Sequence, residues 1–415
     1  MPRPRFTGDQ DPSNVTLTGE QRISADSHTT EPFEVWEERL PAAFRGRDLG
    51  LDNRAGRRGS RAGGWDPDER LKDMAIGGVS AEVLYPTVGI GVWRRDDVAF
   101  EEAMVRAYND WLIEFCSVAP HRLWGLAMIS LWNIEHAIKE MERCRNAGLR
   151  GTAVWPEPPE ELPFSSPHYE KFWDASQSLQ MSVNLHISGG APNVDRVMSD
   201  VKRAPSEKQV RGTSGDEAGT DNPDRNDRHF NVDRLRRGMA HPARATQILT
   251  DLMLARVLGR YPDLRIVIAE IGWSWMPYCA QELDYYFSSY HEYTGERHSE
   301  KSPSEQVFSQ VYATFKPDPA GAYLLPTYGK DSFLWANDYP HASSTWPHDD
   351  AVISHLLGHL SPEDRADVLC NNVARLYNEG KLPPPADPPG DQQDLEAWDR
   401  THQPAQITMP GAVEG

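Results

Sequence analysis

The run LRIVIAEIG, residues 264–272, decides the fold. Apolar and β-branched side chains fill 266–269 without a polar break, and strands of a parallel sheet covered by helices on both faces read this way. Before it, RATQILTDLMLARVLGRYP has helical spacing and stops where Pro262 forbids continuation. Seven further runs alternate with helical patterns: RISADSH (22–28), VSAEVLYPT (79–87), RLWGLAMIS (122–130), LRGTAVW (149–155), MSVNLHIS (181–188), VYATF (311–315) and SFLWAND (332–338). Eight strands alternating with helices predict an α/β fold of the (β/α)8 TIM-type barrel architecture. The helices carry their own end signals. FEEAMVRAYNDWLIEFC follows Asp96 and Asp97 as candidate caps, NIEHAIKEMERCRNAG stops at Gly148, and SPEDRADVLCNNVARLYN opens on a Ser-x-x-Asp box.

The 415 residues, 39% hydrophobic and 25% charged, suit one large barrel with extensions and are too apolar for a disordered chain. A net charge of -19 repels polyanions, which argues against nucleic acid or an anionic membrane as partner and leaves a small-molecule substrate. No run approaches the roughly 18 apolar residues of a membrane span, and no apolar stretch follows the basic start MPRPRFTGDQDPSN, so neither a span nor a signal peptide is expected. Cys116, Cys144, Cys279 and Cys370 form no CxxC pair, which predicts neither disulfides nor a cysteine zinc site and fits a reducing cytoplasm.

The expected organisation is an N-terminal extension at 1–21, the barrel at 22–378 and a Pro-rich C-terminal tail at 379–415, read as an extended arm. Within the barrel, 203–237 is nearly devoid of large apolar side chains. It is expected as a long insertion after strand five, either a solvated loop or a lid over the barrel mouth.

Polar residues interrupt the apolar strands at one common level. Asp26 and His28, two apart on strand one, face the same side; His186 closes strand five before a glycine turn; Asp338 closes strand eight. Two carboxylates and two imidazoles at the catalytic end of a barrel suit one divalent ion, zinc first, with manganese or iron as alternatives. Glu270 ends a buried strand, where an uncompensated carboxylate costs several kcal/mol. Two readings stand: a salt bridge to Arg244 or Arg265, or a role in acid–base chemistry or as an auxiliary ligand. His241, in Met-Ala-His-Pro, is expected just before the helix after strand five, as a proton donor at the mouth or as a capping residue. His341, three residues beyond Asp338, and Glu31, three beyond His28, are candidate substrate contacts. Trp93, Trp155, Trp273, Trp275 and Trp346 near strand ends suggest either a flat cyclic or aromatic substrate or packing. Gly89-Ile-Gly91 has Arg94 where a dinucleotide fingerprint needs its third glycine.

Three motifs then carry a resemblance: ADSHTTEP followed by Trp36, RYPDLRIVIAEIGWSWMPY, and LWANDYPHASSTWP. From about residue 22 to 378, outside the insertion, the chain resembles the branch of the amidohydrolase superfamily that contains aminocarboxymuconate-semialdehyde decarboxylase and γ-resorcylate decarboxylase. The resemblance implies a (β/α)8 barrel, one divalent metal on Asp26, His28, His186 and Asp338, and a homodimer or higher homo-oligomer. It also marks two departures. Asp26 stands where the family usually has His or Glu, and Glu270 stands where the decarboxylases carry a histidine.

The leading expectation is therefore a metal-dependent hydrolase. The ion lowers the pKa of water and polarises a carbonyl, Asp338 moves the water's proton, and Glu270 or His241 orients the substrate. The alternative is a non-oxidative decarboxylase, and a remote third is a non-catalytic ligand-binding barrel. Only the proton donor separates the first two, because the metal set serves both.

Overall fold

The computed structural model describes residues 20–51, 61–94, 97–159, 162–186, 228–290, 301–341 and 343–389. Eight parallel strands follow one another around a single sheet: β1 (Arg22–His28), β2 (Val79–Tyr85), β3 (Leu123–Met128), β4 (Gly151–Val154), β5 (Ser182–His186), β6 (Ile266–Ala269), β7 (Val311–Thr314) and β8 (Phe333–Leu334). Each pairs with the next. The segment leaving β8 closes the ring onto β1: Ala25 N donates to Trp335 O at 2.9 Å, Asp338 N to Asp26 O at 3.0 Å, and His28 N to Tyr339 O at 2.7 Å. All eight strands thus fall inside the runs that the sequence marks, and the barrel is the expected one.

Helix starts follow the local chemistry. Asp97 accepts from Phe100 N and opens Val98–Ser117, Asn133 accepts from His136 N and opens Ile134–Asn146, and Ser361 accepts from Asp364 N at the start of Pro362–Ala366. Asp96, the other cap candidate, and residues 1–19 and 390–415 lie outside the described residues. So do 203–227 of the insertion, whereas its last ten positions correct the expected boundary: the helix Arg228–Leu254 already begins there. His241 consequently lies inside that helix and not ahead of it. The sequence signal that misled was Pro242, which reads as a first-turn residue but is carried in the interior.

The core is a large apolar cluster between the sheet and its helices, with a small second cluster of Tyr339 and Trp346. Beneath the mouth on the β1–β2 side lies a polar network. Arg70 pairs with Glu82 and donates to the His28 carbonyl at 2.7 Å, with both side chains almost fully buried. Its guanidinium lies 4.5 Å above the Tyr339 ring. A buried pair of this kind mostly costs stability when broken, and here it also pins the backbone of His28. The four cysteines are buried and free. Among the described residues no helix is long and apolar enough to cross a membrane.

Candidate metal centre

The pairing of β1 with β2 shifts register between Ser24 and Ser27, the kind of irregularity that re-aims side chains beside active sites. Asp26 and His28 emerge there, and His186 is the last residue of β5. Glu270 follows β6 and Asp338 follows β8, and both hold left-handed backbone, φ 64 and 58. Side chains rarely adopt this region, and it persists where the surroundings over-determine it. Two bonds do so here: Glu270 N donates to Thr314 Oγ1 at 2.8 Å, and Asp338 N donates to the Asp26 carbonyl. After Glu270 the chain turns at Gly272, φ +75, where a side chain would run into Asp318 Oδ2 at 2.8 Å. That carboxylate accepts from Trp273 N and Ser274 N and holds the turn.

The donor atoms converge. His28 Nε2 lies 3.1 Å from His186 Nε2, 3.4 Å from Asp26 Oδ1 and 3.6 Å from Asp338 Oδ1. His186 Nε2 lies 3.8 Å from Asp26 Oδ1 and 3.7 Å from Glu270 Oε2. Ligand atoms of Asp26, His28 and His186 fall within 4.8 Å of one another, as do those of His28, Asp338 and His341. His28 Nδ1 faces the Pro86 carbonyl at 3.1 Å, which can only accept, so Nδ1 carries the proton and Nε2 turns a lone pair inward. Asp26 Oδ1 is buried without a hydrogen-bond partner among the described residues. A buried carboxylate oxygen without a partner is unfavourable alone, and a divalent cation held between it and the two imidazole Nε2 atoms would satisfy it. The residues present therefore fit such an ion, and the mixed oxygen and nitrogen set is of the Zn²⁺, Mn²⁺ or Fe²⁺ type.

The titration behaviour fits the same picture. Burial, with the Asp338 and Glu270 carboxylates nearby, pushes Asp26 well above the usual carboxylate range. Burial, with His341 and His186 nearby, holds His28 well below its ordinary value, and burial lowers His186. Both imidazoles are thus kept neutral, the state that ligates. His341 goes the other way. Burial opposes its charge, but the Asp338 carboxylate 2.8 Å from Nδ1, with Glu270 and Asp26 behind, raises it to about 9. Burial likewise opposes ionisation of Asp338, and His341 and the Ser343 hydroxyl at 2.5 Å overcome it, lowering its pKa.

The other expected site residues lie as follows. The His341 ring stacks on His28 with centroids 3.9 Å apart, and its Nε2 is 3.0 Å from Thr87 Oγ1. Glu31 is engaged by the loop after β2. Its buried carboxylate accepts from Thr29 Oγ1 and from the backbone N–H groups of Thr87, Val88 and Gly89, so it clamps the loop that carries Thr87. His241 is half-buried with Nδ1 lacking a hydrogen-bond partner among the described residues. Burial takes it down to about 4 against the pull of Glu270. Arg244 pairs with Glu157 at 3.2 Å, and Arg265 donates to the Pro262 and Leu264 carbonyls. The five tryptophans near strand ends are all buried; Trp273 stacks on Phe333, and Trp346 packs against Tyr339. Their burial accords with the packing alternative. Thr87, Thr314, Ser343 and Arg70 complete the centre without any spacing signal in the sequence.

A protein-family model described as Amidohydrolase matches residues 25–378. The γ-resorcylate decarboxylase of Rhizobium sp. is 27% identical over 139 residues, which is 31% of this chain and 41% of that protein, so the chain spans about two fifths of this relative's length. Among solved structures, the 5-carboxyvanillate decarboxylase of Sphingomonas paucimobilis superposes with a TM-score of 0.61 at 20% identity, covering 86% of this chain and 99% of that one. A dihydroxybenzoic acid decarboxylase of Polaromonas sp., with bound manganese and the inhibitor 2-nitroresorcinol, gives 0.58 at 17% identity, covering 88% and 98%. At these identities the structural likeness establishes the shared barrel.

Proposed function

Because the chain belongs to the amidohydrolase family, we propose that it is a metal-dependent hydrolase of a small cyclic or aromatic substrate, with one divalent ion on Asp26, His28, His186 and Asp338. The observation that carries this is the convergence of His28 Nε2 and His186 Nε2 on the bare, buried Asp26 Oδ1. The donor set favours zinc, with manganese as the alternative that the Polaromonas neighbour supports. Such an ion supplies Lewis acidity to a substrate carbonyl and acidifies water. Asp338 takes the proton of the attacking water and returns it to the leaving group, with the His341 imidazolium 2.8 Å away holding its carboxylate. Glu270, at the mouth beside His186, orients the substrate, and His241, kept neutral by burial, offers a second acceptor.

A second reading, non-oxidative decarboxylation, is favoured by the named activities of the relatives. There a proton delivered to carbon replaces the departing carbon dioxide, and Glu270 or His241 would be the group to deliver it. The test is product analysis of the metal-loaded protein on a panel of aryl carboxylates, lactones and amides. Ring-opened or cleaved acids without carbon dioxide support hydrolysis, and carbon dioxide release supports the second reading. A folded, metal-loaded protein inert on the whole panel counts against both.

A further inference from the structure

Thr314 ends β7 with a fully buried side chain, on the strand between the two that carry Glu270 and Asp338. Its single hydroxyl proton goes to Asp26 Oδ2 at 2.8 Å, and its own oxygen, Thr314 Oγ1, accepts the Glu270 N–H at 2.8 Å. The hydroxyl rotor is therefore fixed from both sides. One consequence falls on Asp26: with Oδ2 occupied, Oδ1 is the oxygen presented to His28 and His186, and it is the orphaned one. Another falls on Glu270. Its left-handed conformation directs its N–H at Thr314 while its carboxylate reaches His186, so the bond offsets part of the cost of that conformation.

We propose that Thr314 is a positioning residue that couples the strand-one ligand to Glu270, choosing which oxygen of Asp26 faces the ion and holding Glu270 at the mouth. The proposal rests on the metal-site reading above. A hydroxyl that orients a ligating carboxylate should matter to metal affinity by about 10- to 100-fold when removed. Valine fills the same space and keeps the β-branch, so it removes the two bonds and little else. Serine keeps both bonds.

The experiment measures the Mn²⁺ affinity of the full chain by chelator competition, for wild type, Thr314→Val and Thr314→Ser, together with hydrogen exchange of the Glu270 amide in the metal-free protein. The expected result is a Thr314→Val affinity weaker by about 10- to 100-fold and a Thr314→Ser affinity within about threefold of wild type. Glu270 amide exchange should be slow in wild type and Thr314→Ser, and faster in Thr314→Val. A wild type that binds Mn²⁺ beside an equally tight Thr314→Val overturns the role of Thr314 and leaves the metal site standing. A wild type that binds no divalent ion overturns the site itself. Should Thr314→Val not fold, Thr314→Ser decides: loss of Glu270 amide protection there overturns the proposal, because serine preserves both bonds.

Discussion

Asp26→Asn should act in opposite directions on the metal-free and metal-loaded protein. In the metal-free chain Asp26 is a buried carboxylate facing two others. The distances of 3.4 and 3.6 Å from His28 Nε2 to Asp26 and Asp338 bound the separation of those two oxygens. At about 7 Å and an effective dielectric of about 20, two unit charges repel by roughly 2.4 kcal/mol. Asparagine removes that repulsion, keeps an oxygen for the Thr314 hydroxyl, and gives up some strength in that one bond, for a net gain of about 1–2 kcal/mol. With an unfolding entropy of roughly 2.1 cal/mol/K per residue over about 350 residues, the metal-free variant should melt about 1.5–3 °C higher than wild type. The sign with pH follows from the raised pKa. Folding penalises the ionised form of Asp26, so the penalty is full above its folded pKa and fades as pH falls toward the unfolded value of about 3.9. The variant's advantage should therefore be largest at pH 7–8 and shrink toward pH 4. Adding Mn²⁺ reverses the order. Wild type at about a thousandfold excess over Kd gains about 4.1 kcal/mol, roughly 6 °C, most of which the variant forgoes. Differential scanning fluorimetry with chelator or Mn²⁺ across pH 4–8 reads all of this. A metal-free variant that melts lower than wild type by the same amount at every pH would refute the electrostatic reasoning.

Glu270→Gln keeps the shape and removes the charge, and should lower kcat by about 10²-fold or more in steady-state assays while circular dichroism stays native. Arg70→Met leaves Glu82 buried without its guanidinium, and should cost about 3–5 kcal/mol in chemical denaturation, whatever the metal content. The chain is expected to assemble as a homo-oligomer, most simply a dimer, so sedimentation at micromolar concentration should give a species heavier than the 46.8 kDa chain.

The barrel was legible because strand identity is a local property: each run announces itself by unbroken apolar side chains, and its neighbours by caps and glycines. The four candidate ligands were legible for a related reason, since a charged side chain at the end of such a run has no structural excuse. What was hidden depends on approach between strands distant in sequence. Thr314 is one threonine in VYATF until β7 lies beside β6 and its hydroxyl meets the Glu270 N–H. Glu31 looks like a ligand-region carboxylate until the loop at 87–89 folds onto it. Pro242 signalled a helix start because its missing N–H is harmless there, but the helix Arg228–Leu254 bears it in the interior and carries His241 with it. The tryptophans at strand ends carry no sign of whether their faces are covered, and here all five are.

The proposed function requires one divalent ion held between β1, β5 and β8. Metal analysis of the purified chain after dialysis, beside His186→Ala, tests it most directly. About one equivalent of zinc or manganese per chain is expected in wild type and almost none in His186→Ala, with both proteins folded. A wild type that takes up no divalent ion even when it is supplied, or a His186→Ala protein that keeps the full equivalent, would contradict it.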